Sequence, residues 1–598
     1  MSHAPVMTIA AVSFAATPSA AQDAAQELHD VLAERYAWRM HEFPETAVAR
    51  SDDTDADRVA DIGPAAFERR QEATAACLDR LLHIDPAPLD DGDMMNYTLF
   101  ERQLRAELDA YRYRTFLMPI GPGAGPDLTI PGMATRVRCD RYDACAAYLA
   151  RLKQVPRAIR QTIELLRAGA AEGRTPPRRV MGPVPARVQA AIDDDLHDLL
   201  EPFMRMPRTI SVKRRARLRN RFETAVYPAI ARAMRQLHTF LADEYIPKCR
   251  TAIAAAALPD GDAYYAQRLR TVTTPDTTAD ALHEVGRREV ARIQAEMIDA
   301  IGRTDFPRRF PVAADLSDAQ RLRAFLQYLR TDERFYYADG TDIYHAFCAT
   351  CKRIDAALPS VFELLPRWPY GIREAPAVGA LDAAAVRYEP GDIRNVTPGW
   401  LYVNTKVPDR RPKYVVTALA MREAVPGRHL QTALAQELEG VPQFRRYLRI
   451  PAFNDGWALY AMRLGTDAGL YTDPYDEFGR LTVEMRAACA LVCDTGIHAF
   501  AWPRARAVTF MLDHTPDAEA DINRAIDLMI YRPAESVAAK VGELAIRRLR
   551  RTAEQRLGAR FDLRAFHAIV LGQGAVPLDM LERRVHAWID AAAPGAEP

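Results

Sequence analysis

The sequence predicts a mainly α-helical protein with one small β-sheet. Ala and Leu are abundant, and apolar residues recur at steps of three and four, as in Tyr148, Leu149, Leu152, Val155 and Ile159 and again in Val290, Ile293, Met297 and Ile301. That spacing lines one face of a helix of 3.6 residues per turn. One segment breaks the pattern. Gly399-Trp400-Leu401-Tyr402-Val403-Asn404-Thr405 follows Pro398, is aromatic and β-branched, and reads as a strand, either an ordinary structural one or one with an edge on which an extended ligand could pair. Pro and Gly cluster at 119–126, 175–186 and 390–399, which marks loops.

Composition narrows the function classes. The 598 residues carry 79 Lys+Arg and 79 Asp+Glu, a formal net charge of zero. Such a balance argues against a dedicated binder of nucleic acid or of a membrane surface. The basic runs from Lys213 to Arg221 and from Arg547 to Arg551 read as solvated helix faces. Eight cysteines are scattered. Cys348 and Cys351 form a lone C-x-x-C with His345 three residues upstream, and Cys489 and Cys493 lie four apart. Neither has a second pair at zinc-ribbon spacing, so buried helix cysteines are the expectation. No segment has about 18 continuous apolar residues, so no membrane span is expected.

Residues 1–29 read as a flexible N-terminus or a degenerate signal, 30–250 as an N-terminal helical half, and 251–598 as a C-terminal half. Met7 to Ala21 is apolar and ends in Ser19-Ala20-Ala21, but no Lys or Arg precedes it. The expectation is therefore cytoplasmic, with export through a degenerate signal as the alternative.

The stretch that carries chemistry is Met421-Arg422-Glu423-Ala424-Val425-Pro426-Gly427-Arg428-His429-Leu430-Gln431. Around it stand Leu282-His283-Glu284-Val285-Gly286, Glu289 to Ile293, Leu401 to Thr405, Gly456-Trp457-Ala458-Leu459-Tyr460, Asp494-Thr495-Gly496-Ile497-His498 and Arg560 to His567. In this order they resemble the bacterial family labelled domain-of-unknown-function 885. The likeness runs over about residues 30 to 590. The resemblance implies a zincin-like, carboxypeptidase-like helical fold around a central cleft.

The family pattern resembles His-Glu-Ala-Val-Pro-Gly-His-His-Leu-Gln, with Glu-Gly-Trp-Ala-Leu-Tyr-Ala-Glu downstream. It implies two His and one Glu on zinc, with the Glu beside the first His activating the bound water. Here the His positions are Arg422 and Arg428, the ligand Glu is Asp455, and the later Glu is Met462. Arginines of the helix before Asp494 correspond to Ala487 and Ala490, and a tyrosine near the C-terminus to Ala539. Glu423, His429, His498, Asp494 and Lys540 remain. A guanidinium is always protonated and offers no lone pair, so no metal and no cofactor are expected. Positions six apart lie about 120° apart on a regular helix, so Pro426-Gly427 must break the helix to bring Arg422 and Arg428 together.

Three readings stand side by side. Arg422 and Arg428 could replace the metal electrostatically against Glu423 and Asp455 and hold a non-catalytic pocket folded. They could instead clamp a small anionic, amino-acid- or peptide-like ligand, with Asp455, Tyr460, Asp494 and Lys540 lining the pocket and Glu423, His429 or His498 as acid or base. Or a residual metallohydrolase could keep a metal on His429, Asp455, Glu423 and His498. Against its site role, His429 reads more readily as a hydrogen-bonded helix histidine; His498 is expected to orient Asp494, Lys540 to pair with Glu543 one turn on, and His283-Glu284 to be a helix-surface pair. No Gly-x-Ser-x-Gly elbow or Walker loop offers another chemistry.

Overall fold

The computed structural model describes residues 20–50, 52–135, 137–194, 196–273, 277–376, 384–394 and 396–592. Most of the candidate signal Met7 to Ala21 lies outside them. Residues 20–29, expected to be flexible, form the start of the helix Ala20–Glu42, where Leu28 is fully buried.

The protein is mainly helical, with one three-stranded sheet among the described residues. Apolar side chains from Ile120 to Cys249 enclose a core of their own, and a smaller one forms among Leu28, Leu81, Phe100 and Leu104. The largest core belongs to the C-terminal part and draws in Leu99 and Val180 from the N-terminal part. Two long helix pairs build it. Ala279–Arg303 packs on Pro474–His498, and Pro451–Asp467 packs on Ala538–Leu557. The helix Pro474–His498 is buried on nearly every side from Phe478 to His498 and sits centrally, its buried charges Arg480, Glu484 and Asp494 all met by partners.

The second pair crosses at glycines. A Cβ on Gly542 would lie 1.7 Å from the Ala452 carbonyl oxygen and 2.8 Å from the Gly456 Cα. Only hydrogen side chains at both positions allow the backbones so close.

The first and second pairs are joined by charge. The Lys540 ammonium is fully buried and contacts Glu289 at 2.7 Å, Glu543 at 2.9 Å and Glu484 at 3.0 Å. Arg463 and Arg480 reach the other oxygen of Glu484 at 2.9 and 2.7 Å, and Arg292 and Arg547 complete the ring. Burial pulls the Lys540 ammonium down, but the three glutamates outweigh it and raise it above its ordinary value. The expected pair with Glu543 is present, as one contact of a buried network. Local spacing could show only Glu543, because Glu289 and Glu484 come from other helices.

The sheet comprises β1 (Tyr370–Glu374), β2 (Val386–Glu389) and β3 (Gly399–Val403) in the order β1-β3-β2. β1 pairs parallel to β3 with Tyr370 opposite Gly399, and β2 pairs antiparallel with Val386 opposite Val403. Leu401 and Val403 point into the core, while Arg373 stacks on Trp400 at 3.3 Å and Arg387 over Tyr402 at 4.7 Å. The strand expected at 399–405 is present over Gly399–Val403, but it is the central one. Both of its edges are already paired, so no ligand can add to it.

Gly542→Ala is expected to destabilise the protein by about 3 kcal/mol, because the methyl has nowhere to go. Gly302→Ala, which meets nothing within 4 Å in an exposed helix turn, is expected to be neutral or to stabilise by up to about 1 kcal/mol. Urea midpoints of the two variants check the contrast.

Candidate functional site

The motif splits into two helices, Val416–Glu423 and Arg428–Gln436, as Pro426-Gly427 predicts. The Val425–Pro426 peptide bond is cis. A Cβ on Gly427 would lie 2.0 Å from the Arg422 carbonyl oxygen, so the reversal needs glycine there. The indole Nε1–H of Trp457 donates to the Pro426 carbonyl at 2.9 Å and pins the break to the helix that carries Asp455.

The break brings the predicted charges together. Arg428 Nε lies 2.9 Å from Glu423 Oε2, and its Nη1 donates to Asp455 Oδ1 at 2.7 Å. Arg422 Nε lies 3.7 Å from Glu423 Oε1. Arg449, which the sequence gave no reason to single out, donates to Asp455 Oδ2 at 3.1 Å. Burial pulls Arg428 down, yet Glu423 and Asp455 outweigh it and raise it above the ordinary value. Burial likewise pushes the Asp455 carboxyl up, and Arg428 with Arg449 more than reverses that. Arg422 is less well compensated. Burial lowers it, Glu423 only partly offsets the loss, and its Nε has no hydrogen-bond partner among the described residues.

A cavity of about 290 Å³ opens beside Arg428. Arg50, Arg446 and Arg449 also face it, with Tyr388, Tyr447 and Gln431. Arg50 lies over the Tyr447 ring at 4.5 Å. Among the described residues neither Arg50 nor Arg446 pairs with a carboxylate, and Arg446 Nε is buried without a hydrogen-bond partner. The lining thus holds more positive charge than the protein neutralises.

The resemblance implies zinc at this seat, and the side chains do not fit it. Two of the positions carry guanidiniums, and both available carboxylates, Glu423 and Asp455, already face Arg428. A divalent ion would have to displace a cation that cannot lose its charge. Among the described residues the group with three ligand atoms at metal spacing is Glu289, Glu484 and Glu543, and the Lys540 ammonium contacts all three.

Several expected site residues lie elsewhere. The His429 imidazole bonds the Tyr388 hydroxyl through Nδ1 at 2.9 Å and the Trp368 carbonyl through Nε2 at 3.1 Å. It lines a separate cavity of about 460 Å³ with Cys348, Cys351 and Tyr370, not the arginine cavity. Burial lowers its pKa to about 4. His498 accepts from the Ala255 amide through Nδ1 at 3.0 Å and bonds the Met529 carbonyl through Nε2 at 3.0 Å. It does not hydrogen-bond Asp494. That carboxylate accepts from Tyr265 Oη at 2.8 Å, the Ala534 amide at 3.0 Å and Ser536 Oγ at 2.7 Å. Together they clasp the 255–265 and 534–536 segments onto the end of the central helix. Tyr460 is buried against His567, its hydroxyl 2.9 Å from Nε2, and Lys540 is the buried ammonium described above. These four residues hold the fold together and line no part of the arginine cavity. His283 is half-buried, with Nδ1 2.9 Å from Thr495 Oγ1 and its ring edge-on to Phe500 and Trp502, so it is a packing residue and not a surface one.

Arg449, Arg446 and Arg50 escaped the sequence reading. The one local hint was the density of arginines in Phe444-Arg445-Arg446-Tyr447-Leu448-Arg449, a run that in isolation looks like a solvated face.

The fold and this charge arrangement define a class, a helical protein with a guanidinium–carboxylate cluster at a broken motif helix. Residues 44–585 match the family described as "Bacterial protein of unknown function (DUF885)", and the chain belongs to that family. Among solved structures it is similar to a "putative lipoprotein" from Colwellia psychrerythraea, at TM-score 0.82 and 22% identity, over 96% of this chain and 99% of that one. It is also similar to a "putative lipoprotein of unknown function" from Shewanella oneidensis, at TM-score 0.70 and 17% identity, over 95% and 99%. These likenesses show a shared fold. No curated protein matches the chain. Among the described residues no helix is long and apolar enough to cross a membrane.

Two outcomes are expected. Replacing Arg422→His, Arg428→His and Asp455→Glu together frees Glu423 and supplies imidazole and carboxylate donors, so zinc should bind at one equivalent by metal analysis, against none at this seat in the parent. His429 titrates near 4 when folded and near 6.5 when unfolded. Its contribution to stability is complete above pH 6.5 and is lost as the pH falls from 6.5 towards 4. In His429→Gln the slope of unfolding free energy against pH across that window should drop by about 1.4 kcal/mol per unit.

Proposed function

We propose that this is a zincin-like peptidase relative that has exchanged metal chemistry for anion binding. Its ligand is a small carboxylate of amino-acid or short-peptide type, held in the cavity beside Arg428. The observation that carries this reading is the excess positive charge of that cavity. Arg428 and Arg449 are neutralised by Glu423 and Asp455, but Arg50 and Arg446 meet no carboxylate among the described residues. Unneutralised guanidiniums around a cavity of about 290 Å³ favour a guest that brings the missing negative charge, and their planar fork suits a carboxylate. The volume sits at the small end of ligand pockets.

Binding is favoured over turnover. Each oxygen of Glu423 already faces a guanidinium, Oε1 that of Arg422 and Oε2 that of Arg428, so a ligand would have to displace an arginine to reach it. His429 and His498 have both ring nitrogens engaged by the protein, so neither is free to shuttle a proton in this arrangement. The non-catalytic alternative and the ligand-binding reading therefore converge on a pseudopeptidase that recognises a ligand. The lipoprotein descriptions of both structural neighbours support the exported alternative over the cytoplasmic expectation. Cell fractionation tests that placement.

Calorimetry with glutamate, N-acetylated amino acids and dipeptides tests the ligand. Saturable binding is expected, weakened at least tenfold in Arg446→Gln and retained in Glu423→Gln. Undiminished binding in Arg446→Gln would remove this cavity from the account, and peptide hydrolysis abolished by Glu423→Gln would restore a catalytic reading.

A further inference from the structure

A second cavity of about 350 Å³ lies at the seam between the core enclosed by Ile120 to Cys249 and the C-terminal helices. It shares no lining residue with the Arg428 cavity. Its walls include Tyr113, Arg250, Tyr264 and Arg268 on one side and Tyr531 and Arg532 on the other.

The charges here do not balance. Arg532 Nη1 lies 3.3 Å from Glu535 Oε1, and those two groups cancel. Arg250 is spent on backbone, with Nε donating to the Thr175 carbonyl at 2.9 Å and Nη1 to the Ala254 carbonyl at 2.7 Å. Carbonyl dipoles orient a guanidinium but do not neutralise it. Burial pulls Arg250 down to about 10, and no carboxylate pairs with it among the described residues. Arg268 makes no hydrogen bond or ion pair among the described residues, although it is half-buried at the cavity wall. Two cations therefore face one enclosed space with no protein anion of their own.

The remaining wall is aromatic. The rings of Tyr113 and Tyr264 lie 5.5 Å apart at 54°, and Tyr531 closes the far side with its hydroxyl donating to the Met118 carbonyl at 3.1 Å. The Tyr264 hydroxyl makes no hydrogen bond among the described residues, and it lies in the field of both Arg250 and Arg268. Flat apolar walls, a spare hydroxyl and two unneutralised guanidiniums select a flat ring bearing one negative group.

We propose that this cavity is a second binding site, one for a single-ring aromatic carboxylate, with the carboxylate on Arg268 and Arg250 and the ring between Tyr113, Tyr264 and Tyr531. The site stands independently of the reading of the Arg428 cavity. A guest there also braces the seam. Arg250 links Thr175 to Ala254, the next amide is held by His498, and the segment leading out of Arg532 is held by Asp494.

The test uses 4-fluorobenzoate and its ¹⁹F signal with the full chain, with 4-fluorobenzyl alcohol as the uncharged counterpart. Saturable binding of the carboxylate is expected, with at least tenfold weaker binding of the alcohol. Arg268→Gln removes a side chain that bonds to nothing, so the fold should survive, as a thermal melt will verify, while affinity for 4-fluorobenzoate falls at least tenfold. Arg446→Gln, in the other cavity, should keep the probe. The proposal fails if no saturable binding occurs at millimolar probe, if Arg268→Gln binds as well as the parent, or if Arg446→Gln is the variant that loses the probe.

Discussion

The C-terminal part of this protein is organised around one ammonium group that cannot reach water. Lys540 sits among three glutamates from three helices, and arginines surround those glutamates in turn. Removing one partner from such a network leaves a buried charge without compensation, at a cost of about 3–5 kcal/mol. The network therefore fixes how Ala279–Arg303, Pro474–His498 and Ala538–Leu557 stand relative to one another. The last of these touches Pro451–Asp467 through Gly542 and Gly456, and that helix carries both Asp455 and Trp457. Asp455 holds Arg428, and Trp457 holds the break before it. The geometry of the arginine cluster is thus inherited, step by step, from the buried lysine.

At the cluster itself the same rule decides what can happen. Glu423 and Asp455 are the two carboxylates of the cluster, and each faces arginine. Three guanidiniums, those of Arg422, Arg428 and Arg449, share these two carboxylates, so the positive charge of the cluster exceeds the negative. Arg50 and Arg446 stand beside it, in the lining of the cavity, and pair with no carboxylate among the described residues.

Much of the fold was legible because its signals are local. The three-and-four spacing named the helices, the aromatic run named the strand Gly399–Val403, and Pro426-Gly427 named the break. The meeting of Arg422, Glu423, Arg428 and Asp455 was expected from the resemblance, which implied one shared seat for those positions. The rest depends on partners far apart in the chain. His429 is the hydrogen-bonded helix histidine that the sequence favoured, but its partners Tyr388 and Trp368 are not legible from spacing. Tyr460 finds His567, and Lys540 finds Glu289 and Glu484, with no spacing to announce either. The central position of β3 was hidden because Tyr370–Glu374 and Val386–Glu389 are short, and the first holds a glycine that weakens any strand signal.

The covalent attachment of Arg428 has one more consequence. An inorganic ion has a dissociation constant, so its occupancy follows supply, competing chelators and acidity. A guanidinium on a side chain has none of these dependences. Every copy of the chain carries its charge from the moment it folds, in metal-starved and metal-rich surroundings alike, and the potential at that seat is a constant of the polypeptide.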